Sequence, residues 1–189
     1  MGKLRDETGD RLTPTHTRRL GRHIRYYISN RLITGGTDPS GWRLPAGQLE
    51  QAVFDIIAKH IGSLARVHRI LVNADLQTGD AIRNKASGLA MRLSAGAPDL
   101  IRNLVSEGSI GNGRITLILE ATELANELNL KPNEIDVTAL QIEAPFALRR
   151  RGVEGKIVVG DRESEPDQTL LRALVRAHAG QQICATANP

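Results

Sequence analysis

Thr15 to Ile33 (THTRRLGRHIRYYISNRLI) concentrates the side chains of this chain that could act on a polyanion. It holds Arg18, Arg19, Arg22, Arg25 and Arg31, two histidines (His16, His23), the adjacent pair Tyr26-Tyr27, and no acid. Guanidinium groups neutralise phosphates and release their counterions, while hydroxyls and aromatic faces pack against sugar or base. The plainer alternative is a solvated basic strand that only keeps the protein soluble. Arg22, Arg25, Tyr26 and Tyr27 are the leading candidates for duplex DNA contact, supported by Arg18, Arg19 and Arg31. Such contacts position phosphate more than they read bases. Arg149-Arg150-Arg151 form a second basic cluster, expected at a hairpin turn. They are candidates for phosphate contact as well, although hairpin tips are often charged simply because they are exposed.

Other chemistry finds little support. Cys184 and His178 are six positions apart near the chain end, off one helical face, and nothing nearby would stabilise a thiolate. His60 and His68 are eight apart on helical sequence, too far for a two-ligand metal pair, and are expected to be surface or core histidines. Gly108 to Gly113 (GSIGNG) lacks the Gly-Lys-Ser/Thr ending of a phosphate loop and precedes a strand, so it is expected to be a plain turn. Glu163, Glu165 and Asp167 fall in a Pro-containing acidic linker rather than a pocket. No catalytic residue, metal or cofactor is expected, and the chain is not expected to be an enzyme.

The elements that must carry the basic stretch can be read from composition and pattern. With 189 residues, 40% apolar and 24% charged, the chain can bury a core and is not a disordered tail. Only 3% aromatic content favours helices and simple hairpins over a large β-sandwich. The net charge of +4 is uneven: residues 1–34 hold eight Lys/Arg against three acids, which leaves −1 for the rest. That asymmetry is expected where one module meets a polyanion. A single cysteine excludes an intramolecular disulfide, and no apolar run approaches the ~18 residues of a membrane span. No leader is evident, so the expected compartment is the cytoplasm.

An α+β fold is expected: a small N-terminal β-hairpin or ribbon, central helices forming a possible coiled-coil arm, then a small antiparallel sheet with flanking helices. Residues 1–41 are a basic ribbon-like module and loop, with turns at Asp6 to Asp10 and Arg18 to Gly21 and a strand over His23 to Ser29. Residues 42–105 are helical. Ala46 to Ile61 has Leu49, Val53, Phe54, Ile56, Ile57 and Ile61 on one face, Gly62-Ser63 offers a break, and Ser63 can cap the next element. Leu64 to Leu93 is two helices or one long pairing arm, weakened by Gly79 and Gly88; Pro98 to Val105 is a short helix. Residues 106–160 form a β-rich region: strands at Arg114 to Glu120, Val137 to Leu148 and Val153 to Val159, and a helix over Ala121 to Leu130 capped by Thr122. Residues 161–189 are an acidic linker, a helix over Thr169 to His178 and a tail.

Several segments resemble the C-terminal portion of serine site-specific recombinases, of the resolvase/invertase superfamily's larger bacterial members. They are Asp6 to His16 (DETGDRLTPTH), Arg25 to Ser29 (RYYIS), Trp42 to Ala46 (WRLPA) with Leu49-Glu50 and Val53, Leu148 to Val153 (LRRRGV) with Lys156 to Val159 (KIVV), and Asp167 to His178 (DQTLLRALVRAH). Their order runs through nearly the whole chain. The resemblance implies a DNA-binding ribbon at residues 1–34, a helical insertion within 46–105, and a chain that lacks the catalytic serine domain, like a truncated or stand-alone recombinase tail. The family's ribbon holds zinc through closely spaced cysteines; here the ribbon has none, and His16 with His23 cannot close a tetrahedral site. A metal-free ribbon is therefore expected, and stoichiometric zinc on elemental analysis would overturn that. The implied function is DNA binding without catalysis; the alternative is self-association, or pairing with recombinase subunits, through the helices of 46–93.

Overall fold

The computed structural model describes residues 3–19, 22–35, 38–73, 76–111, 113–151 and 154–159. It shows a mixed α+β fold with two sheets. The turn expected at Leu20-Gly21, the hairpin tip expected at Gly152-Val153, the expected acidic linker and the helix expected over Thr169 to His178, with His178 and Cys184, lie outside the described residues.

The smaller sheet has the order β2-β3-β4, from β2 (Leu12–Arg19), β3 (Arg22–Ser29) and β4 (Arg43–Pro45), all antiparallel. The hairpin over residues 12–29 is as its β-branched and aromatic content predicts. The turn after β1 (Leu4–Asp6) also forms, with Gly9 at φ +83° in the left-handed region that glycine enters without cost. The residues after the hairpin, expected to belong to it, instead wind into a short helix, α1 (Asn30–Thr34).

The larger sheet has the order β1-β5-β6-β7-β8, with β5 (Val105–Gly111), β6 (Gly113–Leu119), β7 (Gln141–Arg151) and β8 (Glu154–Val159). β1 pairs parallel with β5, so the first strand of the chain lies at the edge of a sheet otherwise built from residues beyond 104. β6 shows the expected alternation: Ile115, Leu117 and Leu119 are buried while Arg114 and Ile118 face outward. The strand β5 departs from the plain turn expected over Gly108 to Gly113. Gly108 is in mid-strand, where a Cβ would come within 2.6 Å of Leu4 Cδ2 and 2.7 Å of Leu117 Cδ2. Glycine there lets the neighbouring leucines close over the backbone. Val137–Leu140, expected as strand, are a 3-10 turn, because Asp136 accepts from the Thr138 amide and hydroxyl at 2.7 Å each.

Helix α2 runs without interruption from Ala46 to Arg66, straight through the expected break at Gly62-Ser63. Leu49, Val53, Ile57, Ile61 and Ala65 keep one buried stripe across that point, and continued burial outweighs one glycine in a helix. Ser63 caps nothing; its hydroxyl donates to the His60 carbonyl at 2.8 Å. A second helix, α3 (Leu76–Ser94), folds back along α2 with Ile82, Ala86, Leu89 and Leu93 buried. Of the two alternatives for residues 64–93, the described residues thus show separate helices packed as a hairpin. At their junction His68 takes φ +53° and its ring occupies the space beside Gly79, where a Cβ would lie 2.2 Å from His68 Nδ1. The short helix α4 (Pro98–Leu104) forms as expected, and its last carbonyls are held by Lys3 Nζ, which donates to Arg102 O at 2.9 Å and Val105 O at 2.8 Å. Helix α5 (Ala121–Leu128) has no side-chain cap from Thr122; its N-cap is Glu120, and Asn129 at φ +54° ends it.

Candidate nucleic-acid interface

β4 pairs only with Tyr26, Tyr27 and Ile28 of β3, whereas β2 and β3 remain paired from Leu12↔Ser29 to Arg19↔Arg22. The pairs His16↔Arg25, Thr17↔Ile24, Arg18↔His23 and Arg19↔Arg22 therefore extend past the third strand as a two-stranded ribbon. At about 3.4 Å per residue that extension is about 13 Å long. Cross-strand partners share a face, so His16, Arg18, His23 and Arg25 lie together on one side, all exposed. Arg18 Nε donates to His23 Nε2 at 3.1 Å, and the His16 and His23 rings sit 6.3 Å apart. Arg19 and Arg22 hold opposing register positions at the end of the ribbon.

The other candidates in this stretch are differently placed. Tyr27 is 4% exposed, and its hydroxyl donates to Glu50 Oε1 at 3.0 Å. Burial, and then the Glu50 carboxylate, push its pKa up to about 12, so it remains a neutral donor. Arg25 Nη2 donates to the second oxygen of the same carboxylate at 2.9 Å. Tyr26 is half-buried on the opposite face, with the Arg43 guanidinium 4.5 Å from its ring centroid.

Arg31 sits at the root of the ribbon, among carboxylates. Its Nη1 donates to Asp6 Oδ2, to Thr8 Oγ1 at 2.8 Å and to Asp10 Oδ2 at 3.3 Å; its Nε donates to Asp38 Oδ2 at 3.0 Å and its Nη2 to Ser40 O at 2.8 Å. It ties the first turn to the loop before β4. Asp6 is the buried centre of that knot. Its Oδ1 accepts from the Thr8 amide and hydroxyl and the Asp10 amide, and its Oδ2 also accepts from the buried Ser29 hydroxyl at 2.7 Å. Burial raises the Asp6 pKa, but the bonds from Ser29, Thr8 and Arg31 outweigh it and leave the carboxyl below its ordinary value. Ser29 Oγ in turn accepts from the Trp42 amide at 2.9 Å. Neither the burial of Tyr27 nor the knot around Arg31 is visible from spacing, because the partners come from four separate segments.

Arg149, Arg150 and Arg151 are strand residues of β7, in register with Lys156, Gly155 and Glu154, rather than the turn itself. The structure thus places them at the end of a hairpin in the other sheet. His60 is half-buried: its Nε2 is 3.0 Å from Ala139 O, and burial lowers its pKa. Among the described residues no group of three His, Cys, Asp or Glu could hold a metal ion, and no helix is long and apolar enough to cross a membrane. No protein-family model, curated protein or solved structure matches the chain.

Proposed function

We propose that this chain binds duplex DNA through the β2–β3 ribbon, as the DNA-holding C-terminal portion of a serine site-specific recombinase and without strand-cutting chemistry of its own. The observation that carries this is the ribbon's extension beyond β4, with exposed Arg18, His16 and His23 on one face and Arg19 and Arg22 at its end. A two-stranded ribbon fits the B-DNA major groove, which is about 12 Å wide. Arg18, Arg19 and Arg22 are assigned to phosphates flanking that groove, and Tyr27 and Arg31 to holding the ribbon's root. The uneven charge adds support, since residues 1–34 carry the whole of the net positive charge.

Phosphate contacts release counterions, so affinity for a random 30-base-pair duplex should fall steeply with salt. Each contact adds about 0.9 to the slope of log affinity against log salt. The double variant Arg18→Ala/Arg22→Ala should bind at least about tenfold more weakly at low salt, and its slope should be shallower by about two. Filter-binding titrations at several salt concentrations measure both. Unchanged affinity in the double variant sinks the assignment. Weak, salt-indifferent retention together with a dimer on sizing would favour self-association instead, although the apolar stripes of α2 and α3 are already buried within this chain.

A further inference from the structure

We propose that Glu50 is a built-in brake on the ribbon, a fixed carboxylate that withholds Arg25 from phosphate and so sets how far along the ribbon a duplex can bind. This inference rests on the DNA-binding reading above and adds to it a residue that limits affinity.

Arg25 belongs to the first ribbon pair beyond β4, so it stands where the ribbon leaves the body of the protein. Its side chain is 65% exposed, as a phosphate ligand's should be, yet its Nη2 is already bound to Glu50 Oε2. An exposed ion pair of this kind is ordinarily weak and exchanges readily with solvent or a competing anion. This one differs on its acidic side. Glu50 rides on α2, whose stripe of Leu49, Val53 and Ile57 is locked into the core. Its other oxygen accepts from the hydroxyl of Tyr27, whose ring is buried in the core. Glu50 therefore cannot follow Arg25 outward. A phosphate that recruits Arg25 must leave this carboxylate short of a partner, and it must also approach a fixed negative charge. The two arginines on this face of the ribbon, Arg18 and Arg25, are thus followed at its root by an anion. Phosphates are favoured at Arg18 and beyond, and disfavoured at the root.

The test is a double-mutant cycle on the full chain with the same random duplex. Glu50→Gln keeps an oxygen for Tyr27, removes the charge and turns an amide donor towards Arg25. It should tighten binding about fivefold and steepen the salt slope by about one, as expected for one more phosphate contact. Arg25→Ala should weaken the Glu50→Gln protein more than it weakens the wild type, and should cancel the steeper slope. Glu143→Gln removes an equal charge from the exposed pair with Arg114, 2.9 Å apart on the other sheet, and should do neither. Glu50→Ala guards against a misfolded glutamine variant and should change binding in the same direction; thermal melting checks both. Unchanged or weaker binding by Glu50→Gln and Glu50→Ala overturns the brake. So does tightening that Arg25→Ala fails to cancel, because that would be general charge rather than release of Arg25. If Arg18→Ala/Arg22→Ala weakens binding while the Glu50 variants do nothing, only the brake falls. If the double variant binds like the wild type, the DNA-binding assignment and the brake fall together.

Discussion

Phe146→Ala should cost about 4 kcal/mol of folding free energy, within the range for deleting a buried phenylalanine. Phe146 is 1% exposed and sits on β7, opposite Gly113 of β6 and Val159 of β8. Its ring meets Trp42 at a centroid distance of 6.0 Å and an interplanar angle of 59°. Trp42 leads directly into β4 of the other sheet, and its backbone bonds to Ser29 on both sides. The pair is therefore a joint between the two sheets. Removing the larger partner's neighbour ring leaves a cavity where neither sheet can relax without moving the other. Trp42 is the sole tryptophan, so its fluorescence reports the joint directly during urea unfolding. A midpoint shift equivalent to less than about 1 kcal/mol would refute the view of Phe146 as that joint.

The second large effect is expected at Asp6. Asp6→Asn should destabilise the fold by about 3 kcal/mol, because each carboxylate oxygen accepts more than one hydrogen bond and an amide must point its NH₂ at one set of donors. The pH dependence has a definite sign. The folded carboxyl titrates below its ordinary value of 3.8, so its stabilisation is fully present above that pH and is lost as pH falls towards the folded value. Melting temperatures of wild type and Asp6→Asn should therefore differ by a constant amount between about pH 5 and 7 and converge below about pH 4. A gap that persists unchanged to low pH would show that the charge of Asp6 is not what the knot depends on.

The α+β class, the hairpin, the start of α2 and the strand β6 were legible because each rests on local pattern: alternation, an apolar stripe, a proline, a Gly-containing turn. Elements settled by distant partners were not. VSEGSIG (residues 105–111) has too little alternation to signal a strand, and becomes one because Leu4 and Leu117 close over Gly108. Gly62-Ser63 carries the composition of a break, but Ile61 and Ala65 on either side are both buried and hold the helix together. The candidate site divides in the same way. The spacing of a strand over His23 to Ser29 was legible, but Arg18, expected in the turn, joins His23 and Arg25 only through the cross-strand register. Spacing carried no sign that Tyr27 points into the core, nor that Arg31 is gathered by Asp6, Asp10 and Asp38. For Arg31 the acids that claim it lie 25, 21 and 7 positions away.

The parallel pairing of Leu4–Asp6 with Gly108–Ile110 also orders events in time. The three-stranded sheet and α2 lie within residues 12–66, so their contacts close short loops and can form early, even on a chain still being synthesised. β1 has to wait until a partner about a hundred residues downstream exists, with Lys3 reaching Arg102 and Val105 only then. Asp6 ends that strand, yet its partners Thr8, Asp10, Ser29 and Arg31 all lie within the first 31 residues, so the knot at the ribbon's root can close before the strand is paired. What must await the distant residues is the edge pairing that joins the first strand to the larger sheet.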